Sequence, residues 1–477
     1  MILAYDIGTS FLKGAVVDVD GKVCARAQVP VRAACSDGPL QHECDANTWL
    51  SGMALVTAQL GLRERERPRG VVISSNGPTL VPVSADGEPL DFAMTWMDRR
   101  AVREAELIAE YSESHVDASF YLPKALWIAR HKPDLYEKTR WFLPCAEFVS
   151  YFITGNAYRM IPNIHFKEFF WNESAVPRVE LDAEKFPAFL ETGDHAGTVS
   201  DKAEEILGIP SGLPVFAGGP DFAMSILGTA AVQTGRACDR AGTSEGLNLC
   251  WSAPVKDARL ICYPHITPGL YNVSAILSTS GAALQWAADG LARRKGEVDS
   301  LVKEAQEAPA GAGRLIFLPF LGPERFSLWT ESASGAFIGL TLDHGRAEMM
   351  RAVMESTGFA VRWMLELMES NGCQAADLRV TGGLSRIPFW CQLRADITRK
   401  RVLLPEQEDS DLVGNACAGF HGLGKYETLT EASERMTRFQ KTFLPNPANR
   451  GLYDDLYGVF KSAMTGLAET FKLLSGD

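Results

Sequence analysis

Short apolar runs cut by polar turns recur along the chain, and the first of them sets the pattern. Ile2 to Tyr5 is apolar or aromatic and reads as a short strand running into Asp6. Gly8-Thr9-Ser10 is a small, hydroxyl-rich turn. Ala15 to Val19 is a second apolar run, Asp20-Gly21 is a hairpin turn signal, and Val23 starts a third run. The predicted order is strand, turn, strand, turn, strand. Further on, Pro214 to Ala217 reads as a strand meeting a flexible Gly218-Gly219 turn. Pro220-Asp221 follows, and Phe222 to Ala231 is the expected helix. Apolar positions near 349, 353, 356, 360, 363 and 367 form a buried helix stripe over 348–370, closed by Asn371-Gly372. Residues 433 to 477 read as helical and are expected to pack on a C-terminal domain. Trp329 and Trp390 read as core residues.

The opening pattern returns. Gly242-Thr243-Ser244 repeats Gly8-Thr9-Ser10 about half a chain later, again between apolar segments. A half-length repeat in 477 residues, a length beyond a usual single core, predicts two similar domains. The boundary is placed at 236/237, giving domains over 1–236 and 237–477.

Composition narrows the partners. The chain is 46% hydrophobic and 22% charged, with a net charge of −12 and a pI near 5.3. Nucleic acid and anionic membranes are bound mainly through Lys and Arg, so neither is expected as a partner. The ten cysteines include Cys35 and are scattered without a CxxC pair, which points to reduced thiols and a cytoplasmic protein. There is no basic leader with a long apolar core, and no apolar run reaches the roughly 18 residues a membrane span needs. Gln41-His42-Glu43-Cys44-Asp45 is rich in metal-ligand types, but its spacing matches no zinc pattern.

The turn residues have a chemistry of their own. Gly8 permits close backbone approach. Thr9 and Ser10 add hydroxyl donors to backbone N–H groups, a set that suits phosphate oxygens, and Lys13 supplies a neutralising charge. Asp6, acceptor-only when ionised, suits a hydrated Mg²⁺. Asp221 has two readings: a helix N-cap, or a carboxylate that takes the proton of a hydroxyl as it attacks a phosphoryl group.

Together these segments resemble the FGGY carbohydrate kinases, which include glycerol kinase, xylulokinase, ribulokinase and gluconokinase. The resemblance covers nearly the whole chain. It runs through DIGTSFLK (6–13), LDFAMTWMDRR (90–100), LPCAEFVSYFITG (143–155) and AGGPDFAMSILG (217–228). It continues through GTS (242–244), GAFIGLTLDHGRAEMMRAVMESTGF (335–359), TGGLSRIPFWCQLRADITRKRV (381–402) and DLVGNACAG (411–419). It implies an α/β actin-like ATPase fold, a duplication of ribonuclease-H-like domains around a deep cleft, with a sugar-binding N-terminal and a nucleotide-binding C-terminal domain. It implies ATP-dependent phosphorylation of a hydroxyl on a small sugar or polyol. Asp221 would be the general base and Asp6 would hold Mg²⁺. Thr9, Ser10, Lys13 and Thr243 would contact the phosphates. Gly281, Gln285, Gly382 and Gly383 would flank the nucleotide, and Asp98 would hydrogen-bond the sugar. A homodimer is also admitted, since dimers are frequent in the family. The physics agrees, because phosphoryl transfer depends on positioning and charge neutralisation more than on covalent chemistry.

Departures from the family pattern concern the substrate. Gly77-Pro78, with Asn76 beside them, stand where the family often has Met-His or Arg-Glu pairs that contact substrate. This argues against glycerol kinase and puts simple xylulokinase activity in doubt. Glu147 replaces an aspartate. Asn163-Ile164-His165-Phe166-Lys167 replaces a Ser/Thr-rich segment; His165 and Lys167 either read an acidic substrate or belong to a solvated loop. Phe222 takes a place where Asn or Gln is frequent, adding an apolar wall that points to a deoxy or smaller substrate. Ile387 stands where Ser or Asn often touches the nucleotide. Two other readings remain: a catalytically weak sugar- and nucleotide-binding sensor, and a filament or chaperone ATPase. The retained Asp6, Asp98 and Asp221 count against the first. The Thr95 to Arg100 segment counts against the second.

Overall fold

The computed structural model describes residues 1–31, 38, 40–62, 68–112, 114–292, 296–322 and 333–475. Cys35 and Trp329 lie outside them. The chain divides into two compact units. The first comprises Met1–Gly228, Ile266–Pro268 and Ser410–Thr437; the second comprises Thr229–His265, Gly269–Asp409 and Arg438–Asp477. The chain thus leaves the first unit at Gly228, ahead of the expected 236/237 boundary, and returns to it near the end.

In the first unit a six-stranded sheet is built from β1 (Ile2–Ile7), β2 (Phe11–Val17), β3 (Val23–Pro30), β4 (Val71–Ser75), β5 (His195–Thr198) and β6 (Pro214–Pro220). Their order is β5-β6-β4-β1-β2-β3. β1, β2 and β3 are antiparallel neighbours, whereas β1 with β4 and β4 with β6 run parallel. β1 is buried along its whole length, as its unbroken apolar run predicts. The Asp20-Gly21 turn forms with Gly21 at φ 82°, the left-handed region glycine enters freely.

The second unit repeats this topology. Its strands are β7 (Arg236–Ala241), β8 (Glu245–Trp251), β9 (Ile261–Pro264), β10 (Tyr271–Leu277), β11 (Asp377–Thr381), β12 (Arg401–Pro405) and β13 (Phe439–Phe443), ordered β9-β10-β8-β7-β11-β12-β13. β7 pairs antiparallel with β8 and parallel with β11, as β1 does with β2 and β4. Gly8-Thr9-Ser10 and Gly242-Thr243-Ser244 each join the first two strands of their sheets. The predicted stripe is the helix Arg346–Ser370, ending at Asn371 with Gly372 at φ 83°. It packs into the core that also holds Trp390.

Three local expectations change. Gly218 and Gly219 are not a flexible turn but buried residues of β6, where a Cβ on Gly218 would stand 2.2 Å from the Ile73 carbonyl oxygen. The helix after it spans Asp221–Gly228 and stops short of Ala231. Gly228 lies so close to the Ser410 carbonyl that a Cβ would come within 1.7 Å, and Gly414 meets the Met224 carbonyl similarly at 2.0 Å. The helices Asp221–Gly228 and Ser410–Gly422 therefore touch backbone to backbone, at the middle and the end of the first. Residues 433 to 477 are not all helical: β13 precedes the helices Arg450–Gly466 and Ala468–Ser475, and it pairs with β12.

No helix among the described residues is long and apolar enough to cross a membrane. The nine cysteines among them are free thiols. No three His, Cys, Asp or Glu among them converge on a point that one metal ion could occupy.

Candidate active site

In the first unit, the end of β1 carries Asp6 into a buried polar cluster. Ser74 on the neighbouring β4 donates to Asp6 Oδ1 at 2.8 Å. Asn415, on the helix Ser410–Gly422, donates to Ser74 Oγ at 2.7 Å and to the Tyr5 carbonyl at 2.8 Å. Asp6 is therefore held by Ser74, which Asn415 braces in turn. Lys13 stands opposite Asp6 in the β1–β2 register and pairs with Asp411 at 3.2 Å. Burial pushes the Asp6 carboxyl well above the usual carboxylate range. The Asp411 and Asp221 charges push it further, and Lys13 opposes them. Three carboxylates and one lysine thus share one electrostatic environment, which a divalent cation would relieve.

Thr9 and Ser10 are exposed at the hairpin tip, where Gly8 N–H bonds to the Phe11 carbonyl at 3.0 Å. Trp96 donates its indole N–H to Thr9 Oγ1 at 2.9 Å, tying the turn to the segment that contains Asp98. Asp221 is the first residue of its helix, and its Oδ1 accepts from the Phe222 N–H at 2.6 Å.

Asp98, expected to hydrogen-bond a sugar, lies in a network within its own loop. Its side chain is fully buried. Both oxygens accept from Arg100, one of them at 2.6 Å, and Oδ2 also accepts from the His42 N–H at 2.9 Å. Arg100 in turn pairs with Glu43 at 2.7 Å. The carboxylate organises its own loop, because its lone pairs are engaged inside the protein. His42 and Glu43, set aside above as metal ligands, belong to this network.

Asn76 donates its N–H to the Ile7 carbonyl at 2.9 Å and accepts from Thr79 Oγ1 at 3.0 Å. The adjoining Gly77-Pro78 loop is held by a residue that sequence reasoning passed over. Lys124, wholly buried on the helix Tyr121–His131, donates to the Pro78 carbonyl at 2.6 Å and to the Thr95 carbonyl at 2.7 Å. Burial lowers its pKa to about 7. A neutral amine has two N–H groups, and these two carbonyls use both.

Beside Asp221 lies a small pocket. Gly219 and Pro220, the two residues before it, line one side. Aromatic rings form most of the rest. Tyr121 stacks on Trp171 with centroids 4.4 Å apart, and Phe170 meets Phe222 edge-on at 6.4 Å. Phe166 enters the pocket from the 163–167 segment, whereas His165 is exposed and Lys167 lies over the Phe189 ring. Glu147 and Ser75 supply the polar edge. Glu147 Oε1 accepts from the Met160 N–H at 2.8 Å, and burial pushes its carboxyl up to about 8.

In the second unit, glycines converge on the repeated turn. A Cβ on Gly281 would lie 2.4 Å from the Gly242 carbonyl, and one on Gly382, at φ 94°, would lie 2.5 Å from the Ala241 carbonyl. Gly281, Ala282 and Ser280 donate backbone N–H bonds to the turn at 3.0 to 3.1 Å. Thr243 is exposed on it. Gly383 has open space where a side chain would stand. Gln285 is exposed on the helix Gly281–Leu291 and donates to Asp289 at 2.9 Å. Ile387 packs against the core. Gly242, Gly281 and Gly382 thus bring backbone close to backbone at this turn.

Models of the FGGY family of carbohydrate kinases match almost the whole chain. The N-terminal domain model covers residues 1–228 and the C-terminal domain model covers residues 240–423. Among curated proteins the chain is 25% identical to the xylulose kinase of Bacillus subtilis (strain 168), covering 97% of this chain and 96% of that one. It is 26% identical to the autoinducer-2 kinase of Salmonella choleraesuis (strain SC-B67), covering 95% and 92%. Among solved structures it is similar to xylulose kinase from Rhodospirillum rubrum, with a TM-score of 0.82, 25% identity and coverage of 98% and 99%. Ligand-bound xylulose kinase from Lactobacillus acidophilus gives a TM-score of 0.86 at 23% identity, with 99% of both chains covered.

Proposed function

The chain belongs to the FGGY family of carbohydrate kinases, and from that premise we propose that Asp221 is the general base that readies a hydroxyl of a small sugar or polyol for phosphoryl transfer from ATP. ATP-dependent sugar phosphorylation follows from the family. The assignment of Asp221 rests on one observation. It begins a helix at the end of β6, next to the pocket-lining Gly219 and Pro220, in the same charge environment as Asp6 and Asp411.

Asp221 accepts the proton of the attacking hydroxyl, a contribution of about 10²–10⁴ in rate. Thr9, Ser10 and Lys13 hold phosphate oxygens in the first unit, and Thr243 does so in the second. Gly281, Gln285, Gly382 and Gly383 flank the nucleotide, the glycines letting it lie against backbone. The crowded carboxylates fit Mg²⁺. Asp6 would hold it through water, with Asp411 alongside, since Mg²⁺ keeps several waters and takes one or two carboxylates besides substrate phosphates. When bound, it neutralises charge on the phosphates. Asp98 acts as a positioning residue: through Arg100 and the His42 N–H it orders the loop whose Trp96 restrains Thr9. Asn76 and Phe222 border the acceptor.

ADP release from Mg-ATP across ketoses, aldonates, tetritols, pentitols and deoxy sugars tests this. Wild-type turnover on one class, lost in Asp221→Asn while nucleotide binding persists, is the expected result. Near-normal turnover by the variant would make Asp221 a helix cap. Silence of the wild type with ATP still bound would favour the sensor.

A further inference from the structure

Resting on the kinase reading above, we propose that the pocket beside Asp221 receives an apolar end of the acceptor, so that the preferred substrate is a neutral sugar or polyol ending in a methyl group. Its fully hydroxylated counterpart would be the poorer substrate.

Size comes first. The pocket has room for little more than one methyl-sized group, so it selects an end of the molecule and not a ring. Its walls come next. Tyr121, Phe166, Phe169, Phe170 and Trp171 present aromatic surface. Phe170 is held at φ 69°, a left-handed conformation that bulky residues rarely adopt. In that position its ring lies edge-on to Phe222, the residue after Asp221.

The polar edge is narrow and partly engaged. Ser75 Oγ accepts from the Ala146 N–H at 3.2 Å, and Glu147 Oε1 is taken by Met160. Burial keeps the Glu147 carboxyl uncharged at neutral pH, so the edge offers no fixed charge to an acidic or phosphorylated end. Nor does the adjoining Gly77-Pro78 loop supply an ionic or imidazole group. A buried hydroxyl here would exchange most of its water partners for a surface that is mostly rings. Tyr121 also feels the charge of Asp221, which places this wall close to the proposed base.

The experiment uses acceptor pairs that differ only at one terminal carbon, hydroxymethyl against methyl, in ketopentose, ketohexose and pentitol series. A gain of about 10- to 100-fold in kcat/KM for the methyl member is expected, the range a small apolar pocket can discriminate. Phe170→Asn keeps a residue that tolerates positive φ while adding polarity, and it should shrink that ratio toward one. Equal or reversed ratios in the wild type, with Asp221→Asn silencing both members, would overturn the pocket assignment and leave the kinase assignment standing. If nothing turns over, calorimetric binding to Asp221→Asn with Mg-ATP decides. Tighter binding of methyl members supports the pocket while the base assignment falls, and no binding of either member overturns both.

Discussion

The hydroxyl of Tyr121 stands 2.9 Å from the point where a side chain on Gly77 would begin. The two residues are complements. The tyrosine, stacked on Trp171, fills the space that position 77 would otherwise use, so the glycine there is matched to the ring facing it.

Gly77→Ala should therefore destabilise the protein by about 1–3 kcal/mol, the cost of overpacking a fitted site. Tyr121→Phe should remove part of that penalty. A double-mutant cycle by chemical denaturation checks this. Additive effects would mean that the contact does not limit residue 77.

Lys124 and Glu147 give stability opposite pH dependences. Burial lowers Lys124 to about 7 from 10.5. Between those values the unfolded chain binds a proton that the folded one does not, so its contribution rises with pH across that window and is flat below it. Lys124→Met should lose this rise. The variant should also be less stable by roughly 1–3 kcal/mol, because the Pro78 and Thr95 carbonyls lose their donor.

For Glu147 the direction reverses. Its carboxyl moves from 4.5 up to about 8. The folded chain then binds the extra proton, so this contribution is full below about 4.5 and is lost as pH rises through about 8. Glu147→Gln should flatten that slope while keeping the fold. Thermal melts of both variants and the wild type from pH 5 to 10 separate the two; parallel curves would contradict both assignments.

Asp411 should matter as much as residues more readily identified from their motifs. Asp411→Asn removes the partner of Lys13 and one of the charges acting on Asp6. A loss of about tenfold or more in apparent Mg²⁺ affinity is expected, the usual scale for a supporting residue at a metal site, with the acceptor KM little changed. Mg²⁺ titration of ADP release measures it, and an unchanged titration would remove Asp411 from the site.

What could be read from the sequence follows from how local each signal is. The β1–β2 hairpin, its Gly8-Thr9-Ser10 turn and the repeat at 242–244 are contiguous patterns, so they were legible. So was Asp221, because strand, glycines and helix follow one another around it. Gly218 and Gly219 misled because their constraint comes from the Ile73 backbone, far away in sequence. Asp411 pairs with Lys13 across 398 positions, a relation that no periodicity encodes. Lys124 sits in YLPKALW, where its neighbours signal a helix but not two carbonyl partners. Phe169-Phe170-Trp171 carries no motif, and only the fold brings those rings to the pocket that Gly219 and Pro220 also line. Asp98 stood out by its motif, but its Arg100 and His42 partners did not, since a motif marks a position without naming its contacts.

The return of Ser410–Thr437 to the first unit has a consequence for biosynthesis. When a ribosome has made the first 228 residues, the polar cluster around Asp6 still lacks Asn415 and Asp411, and the helix that begins at Asp221 lacks the one it packs against. The first unit cannot be finished until the chain has emerged as far as Thr437. A product truncated before residue 410 therefore carries the opening motif without its supports.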